Sequence, residues 1–235
     1  MTRCIDITRP VDEMLVVWPG RRPPEHRWER RIADGHHCNT SVWQMNAHSG
    51  THMDAPLHFV EDGTPIDQIA PEVFVGPCVV VDLRAVESQT MDEALAGRYR
   101  GEQRLLIRTH HSEASRPGGY APHERLLTPE AADLLLEGGL WLLGTDRLSV
   151  DDASGRDFAL HSRLLGAGCV ILEGLLLTGV EPGRYHLVAA PLRLSGAEAS
   201  PVRALLLATP PRKASPSPVG SSRLADASPA MPCRR

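Results

Sequence analysis

The sequence predicts an α/β domain built on a mixed, partly closed sheet, and three observations carry that expectation. Short β-type runs alternate with helical pieces over residues 1–208. The helical signals lead directly into apolar runs of strand length, the order expected where helices cover a sheet. Strand signals also outnumber helical ones, which suggests a sheet that is mixed or partly closed.

The strand-like runs are Met14–Trp18, Ser41–Ala47, Cys78–Leu83, Leu105–Thr109, Leu140–Leu143, Cys169–Leu172, Leu187–Ala190 and Val202–Leu207. The clearest helix begins at Thr128-Pro-Glu-Ala-Ala-Asp. Thr128 suits the N-cap, Pro129 the first helical position and Gly138 the stop. A shorter helix over His161–Leu165 is closed by Gly166 and Gly168 and again leads into a strand. The sequence contains no internal repeat.

From Thr209 to Arg235 the composition changes, with six prolines and five serines among 27 residues and no apolar periodicity. Such a stretch cannot bury enough apolar area to offset its chain entropy, so it reads as a disordered tail. Residues 1–208 then form one domain, which 235 residues can accommodate with a sizeable core.

Net charge is −4 and aromatic residues are 4% of the chain. That balance argues against a nucleic acid or an anionic membrane as main partner, since both favour basic surfaces. No apolar run approaches the roughly 18 residues of a spanning helix, and the N-terminus lacks a signal-peptide pattern. Five scattered cysteines suggest neither a disulfide framework nor a thiolate zinc site, so the expected location is the cytoplasm.

The chemistry concentrates in His48-Ser-Gly-Thr-His52-Met-Asp54-Ala-Pro-Leu-His58. Three of the chain's eleven histidines fall in these eleven residues, where chance would put about 0.5. His48, His52, Asp54 and His58 are all even-numbered, so an extended backbone projects them to one side. Gly50 and Pro56 argue against a helix, and the run before the motif looks like a strand delivering it to a sheet edge. Neutral imidazoles and a carboxylate suit Zn²⁺, Mn²⁺ or Fe²⁺ in an incomplete shell that leaves room for water. The pKa of such a water falls towards about 7, giving hydroxide at neutral pH. His58 lies beyond Pro56 and is free to move protons. His36, His37, His110 and His111 read as solvated loop residues.

At this motif the chain resembles the cyclase family of metal-dependent hydrolases, which includes bacterial kynurenine formamidases and isatin hydrolases. The family pattern His-x-Gly-Thr-His-x-Asp-x-Pro-x-His is matched at every fixed position from His48 to His58. The resemblance continues in Val17-Trp18-Pro19-Gly20, in the stretch from Gly144 to Asp151, at His161, in Ile171-Leu-Glu173-Gly and through residues 199–204, and excludes the tail. It implies a swivelling β/β/α fold and a homodimer or higher homo-oligomer. It also implies a pair of metal ions, two Zn²⁺ per subunit with Mn²⁺ as the alternative. His48, His52 and Asp54 would hold the first ion. Asp54 and Glu173 would bridge to a second, completed by His161. His58 would be the general acid/base, and Trp18 would line the pocket against an aromatic ring.

The activity so implied is hydrolysis of an amide-type C–N bond in a small molecule by metal-bound hydroxide, with N-formyl-L-kynurenine the foremost substrate. Three alternatives stay open: a cyclic amide or lactone hydrolase or cyclase, a metal-binding protein without activity, and a non-haem iron oxygenase using His48, His52 and Asp54 as a facial triad.

Overall fold

Four runs of apolar residues become the centre of the sheet in the computed structural model, which describes residues 3–86, 91–112, 126–152 and 157–208. These are β5 (Val75–Asp82), β6 (Arg104–Arg108), β7 (Leu142–Thr145) and β8 (Val170–Glu173), paired in parallel in that order. Side chains alternate between the two faces along each strand. Leu106, Leu142, Val170 and Leu172 join one buried cluster, while Leu105, Ile107, Leu143 and Ile171 join another. Both faces are therefore covered, which is why these strands read as continuous apolar runs rather than as alternating ones. Each fully buried Leu or Ile contributes about 1.5–3 kcal/mol.

Antiparallel strands complete the sheet on both sides. They are β1 (Arg3–Asp6), β4 (His52–Asp54), β9 (Gly183–Val188), β10 (Ala199–Pro201) and β11 (Leu205–Ala208). The order is β1-β11-β9-β5-β6-β7-β8-β4-β10. β10 and β11 stand seven positions apart in that order, about 33 Å in a flat sheet. Yet β10 ends at Pro201 and β11 begins at Leu205, and four residues of chain reach at most about 14 Å. The sheet must therefore curl to bring its two sides together. Hydrogen bonds tie the seam: Val202 N–H donates to Thr51 O and Ile7 N–H to Ala204 O. The expected mixed, partly closed α/β architecture is the one adopted. The cluster around Leu106 and Leu172 fills the inside of the curl.

Three helices are described: α1 (Met91–Ala96), α2 (Pro129–Glu137) and α3 (Ala159–Gly166). The outer cluster includes Leu95, Ala131, Ala132, Leu135, Leu160 and Leu164 from these helices. Thr128 Oγ1 accepts from Ala131 N–H at 3.2 Å, the N-cap its sequence announced. The end of α3 is likewise followed by Gly168 at φ +81°, a left-handed position suited to glycine.

Two expectations need correction. Met14–Trp18 forms no strand; Val16, Val17 and Trp18 instead line a cavity. The run before the histidine motif does form a strand, β3 (Thr40–Gln44), but it does not join the main sheet. It pairs with β2 (Glu25–Arg30) in a separate two-stranded ribbon, and residues 46–51 turn back before β4 enters the main sheet. β2, Glu-His-Arg-Trp-Glu-Arg, carries no apolar alternation because neither of its faces is buried. The region 209–235, expected as a disordered tail, lies outside the described residues. Among the described residues no helix is long and apolar enough to cross a membrane.

Candidate metal centre

β4 brings the first two site residues to one face. His52, Met53 and Asp54 lie opposite Glu173, Leu172 and Ile171 of β8. Met53 and Leu172 enter the inner cluster, so His52, Asp54 and Glu173 face the helix side. The extended reading of the motif holds only for these residues. His48 sits in the preceding turn, and Pro56 starts a short 3₁₀ segment, Pro56–His58, closed by His58 N–H donating to Ala55 O. That turn folds His58 back, so that its ring centroid stands 4.2 Å from that of His48.

Two glycines allow the strands to approach. Gly50 and Gly174 both have φ +67°. A Cβ on Gly174 would stand 2.2 Å from Gly50 O, so no side chain fits there. Thr51 Oγ1 locks this crossing, donating to Gly174 O at 2.7 Å and accepting from Arg9 N–H at 2.8 Å.

His161 arrives from the first turn of α3. Its Nδ1 is 2.8 Å from Asp151 Oδ2, and the same carboxylate accepts from the backbone N–H groups of Leu160 and His161. Asp151 thus caps α3 from outside the helix, a task Phe158 at the N-cap position does not perform. A carboxylate oxygen accepts, so Nδ1 carries the hydrogen and Nε2 presents its lone pair inward. Phe59 stacks on the His161 ring at 4.7 Å.

The donor atoms converge. His52 Nε2 is 3.5 Å from Asp54 Oδ1 and 3.4 Å from Glu173 Oε2. His161 Nε2 is 3.6 Å from Asp54 Oδ2 and 3.4 Å from Glu173 Oε1. His48 Nδ1 is 2.8 Å from Asp54 Oδ1, and His48, Asp54 and His58 form a second close group. Glu198 adds a carboxylate 3.4 Å from the other nitrogen of His48.

Asp54 supplies the test of whether a divalent ion fits. Its two oxygens are wholly buried, and neither accepts a hydrogen bond of acceptable geometry. An ionised carboxylate so enclosed is costly unless a cation offsets it. Ligands about 2.1 Å from a tetrahedral ion stand about 3.4 Å apart, and the spacings of 3.4–3.6 Å match that edge. The arrangement suits a divalent ion better than it suits a set of hydrogen bonds.

The electrostatics agree. Burial alone would suppress charge, but His52, His161 and His48 hold Asp54 well below the usual carboxylate range. Burial likewise opposes charge on His52, yet Asp54 and Glu173 push it up to about 9. His161 is raised well above its ordinary value against burial, by Asp151, Asp54 and Glu173. His58 goes the other way: burial, opposed by Asp54 and aided by His48 and His161, pulls it down to about 4. One half-buried imidazole is therefore neutral at pH 7 beside a region that attracts cations.

The site forms the floor of a cavity of about 230 Å³ that opens to solvent. Trp18, Phe59, Phe158, Val16 and Leu148 supply apolar wall, and the Trp18 and Phe158 ring centroids are 6.3 Å apart. All seven residues singled out in the sequence thus line one cavity or its floor. Asp151, Phe59, Phe158 and Glu198 were not singled out, and only the recurrence of Asp151 within the family-like stretch from Gly144 signals any of them. His36, His37 and His110 are exposed as expected; His111 instead is partly buried, its Nδ1 3.0 Å from Thr109 Oγ1.

Known proteins resemble this chain in sequence and fold. The Cyclase family model matches residues 5–152. The kynurenine formamidase of Salinibacter ruber is 39% identical over 210 residues, covering 88% of this chain and 98% of its own. Isatin hydrolase A from Labrenzia aggregata superposes with a TM-score of 0.77 at 28% identity, covering 89% of this chain and 94% of its own. A solved structure described as a "potential metal-dependent hydrolase with cyclase activity" gives a TM-score of 0.75 at 30% identity, over 90% of this chain and all of that one. With its histidine motif, curled sheet and buried donor cluster accounted for together, the chain belongs to the Cyclase family.

Proposed function

We propose that this protein is a metal-dependent arylformamidase that hydrolyses the formyl C–N bond of N-formyl-L-kynurenine, releasing the aromatic amine and formate. The observation that carries the reading is the pairing of a buried cation-type donor cluster with a neutral His58, on the floor of an aromatic-walled cavity. The name of the Salinibacter relative and its near-complete coverage support the same reaction.

In this reading His48, His52 and Asp54 hold one ion, and Asp54, Glu173 and His161 a second, with zinc the first choice and manganese the alternative. Bound there, such ions supply a Lewis acid for the formyl oxygen and lower the pKa of water. The chain's own residues do the rest. Trp18 and Phe158 flank the aryl ring and exclude water, which strengthens every charge interaction on the floor. His58 takes a proton from the attacking water and returns it to the departing aniline nitrogen, so water adds across the C–N bond and no other reactant is consumed. Asp151 fixes the tautomer of His161.

A second reading, opening of a cyclic amide such as isatin, is favoured by the likeness to isatin hydrolase A. A metal-binding protein without activity is disfavoured, since a purely structural site gains nothing from a neutral His58. The β2–β3 ribbon exposes Trp28, Val42 and Trp43, with Met45 exposed just beyond it. An isolated ribbon of this kind is marginal in water, and a homodimer or higher homo-oligomer offers it cover. The exposed thiols of Cys4 and Cys38 suit a reducing cytoplasm.

The test is a panel of N-formyl-L-kynurenine, isatin and formanilide, assayed with Zn²⁺- or Mn²⁺-loaded protein and again after chelation. Turnover of the first substrate, lost on chelation and restored by metal, is the expected result. Equal turnover in the presence of chelator overturns the metal-dependent mechanism, and a preference for isatin moves the assignment to the second reading.

A further inference from the structure

The cavity rim carries one charged group that the hydrolytic chemistry leaves unused. Trp18-Pro19-Gly20-Arg21 folds as a type II turn: Pro19 takes the second position, Gly20 the third with φ +83°, and Arg21 N–H donates to Trp18 O at 2.9 Å. The ends of such a turn lie within about 7 Å of each other. The turn therefore roots an aromatic and an arginine side chain at neighbouring points of the backbone, and both residues line the cavity. Among the described residues Arg21 is the sole arginine or lysine in that lining, and its side chain makes no hydrogen bond or ion pair with them. Asn46, also in the lining, accepts from His48 N–H through Oδ1 at 3.0 Å, which leaves its amide nitrogen as a second donor.

We infer that Arg21 is a specificity residue that receives the carboxylate of an anionic arylformamide. This rests on the arylformamidase reading and narrows its substrate class. The formyl end must reach the floor beside His58, and the ring must lie along Trp18 and Phe158. A substituent pointing away from the floor then meets the rim. A guanidinium is permanently charged and offers forked donors matched to a carboxylate. At an exposed rim its main effect is on selectivity and capture, with the dependence on ionic strength of a screened attraction. Arg21 has no part in the bond-breaking step.

Two probes separate charge from ring recognition. The desamino analogue of N-formylkynurenine keeps the carboxylate; ortho-formamidoacetophenone keeps ring and ketone but has no charge. For the metal-loaded wild type, added salt should raise KM for the first and not for the second. Arg21→Met should raise KM for the anionic probe about ten-fold with kcat unchanged, and leave the neutral probe unaffected. Arg21→Lys should fall between, and Arg21→Glu should be worse than Arg21→Met on the anionic probe alone. Equal effects on both probes, or none on either, overturn the assignment.

Binding keeps the two hypotheses distinguishable. If wild type turns over neither probe, calorimetric titration with the two deformylated amines reads the rim directly. An Arg21-dependent preference for the anionic amine then leaves the carboxylate anchor standing and removes the formamidase reading. Absence of that preference removes both.

Discussion

Asp151 Oδ2 stands 2.8 Å from His161 Nδ1 and also accepts the His161 N–H, while Oδ1 accepts the N–H of Leu160, so one carboxylate both caps a helix and orients a donor of the metal centre. Helix α3 and the site are mechanically the same object at this point. Asp151→Asn removes one full acceptor oxygen and permits the wrong imidazole tautomer. It should weaken binding of one of two metal ions by about 10- to 100-fold while the other remains. Titration of the metal-free variant with Zn²⁺, read as stoichiometry and affinity, checks this. Two unaltered affinities show that Asp151 serves only the helix.

His52 and His58 should separate ligand from base. His52→Ala removes a donor atom between Asp54 and Glu173, and metal content should fall together with activity. His58→Ala should leave metal content near wild type and slow turnover by about 10²- to 10⁴-fold, the range for a lost general acid/base. Metal analysis of the two purified variants decides between the roles. Loss of metal from His58→Ala equal to that from His52→Ala makes His58 a ligand, and its 4.2 Å approach to His48 gives that outcome a structural route.

Gly174→Ala tests the strand crossing behind the site. The added Cβ meets Gly50 O at 2.2 Å, and φ +67° is strained for any side chain. The expected loss is more than about 2 kcal/mol, read by denaturant unfolding. Gly179→Ala is the control, since it shares the positive φ, at +73°, but its Cβ meets nothing within 4 Å. It should cost only the backbone strain, about 1–2 kcal/mol. Equal losses for the two variants refute the close approach.

Ending the chain after Ala208 should leave both melting temperature and turnover unchanged. Residues 209–235 have no core-forming periodicity, and β11 ends at Ala208 paired with Arg3 of β1. A lower melting temperature in the shortened protein places the domain boundary later in the chain.

Local chemistry made part of this protein legible from its residues alone. The Thr128–Pro129–Gly138 pattern marks α2 because capping and proline geometry act within a few residues. The period of two puts His52 and Asp54 on one face, because successive Cβ atoms on a strand point to opposite sides. The parallel strands declare themselves because strands covered on both faces need continuous apolar runs. Tertiary structure alone decided the rest. Glu173 meets His52 through the register of β4 against β8, and that register is set by packing of Met53 and Leu172 summed over the whole interior. Asp151 finds His161 only once α3 has docked on the outer cluster. Trp18 reaches the cavity because its segment stays outside the sheet, and β2 forms although its sequence carries no apolar period. Periodicity reports which face of an element is buried, and the curl that gathers these residues depends on contacts far apart in the chain.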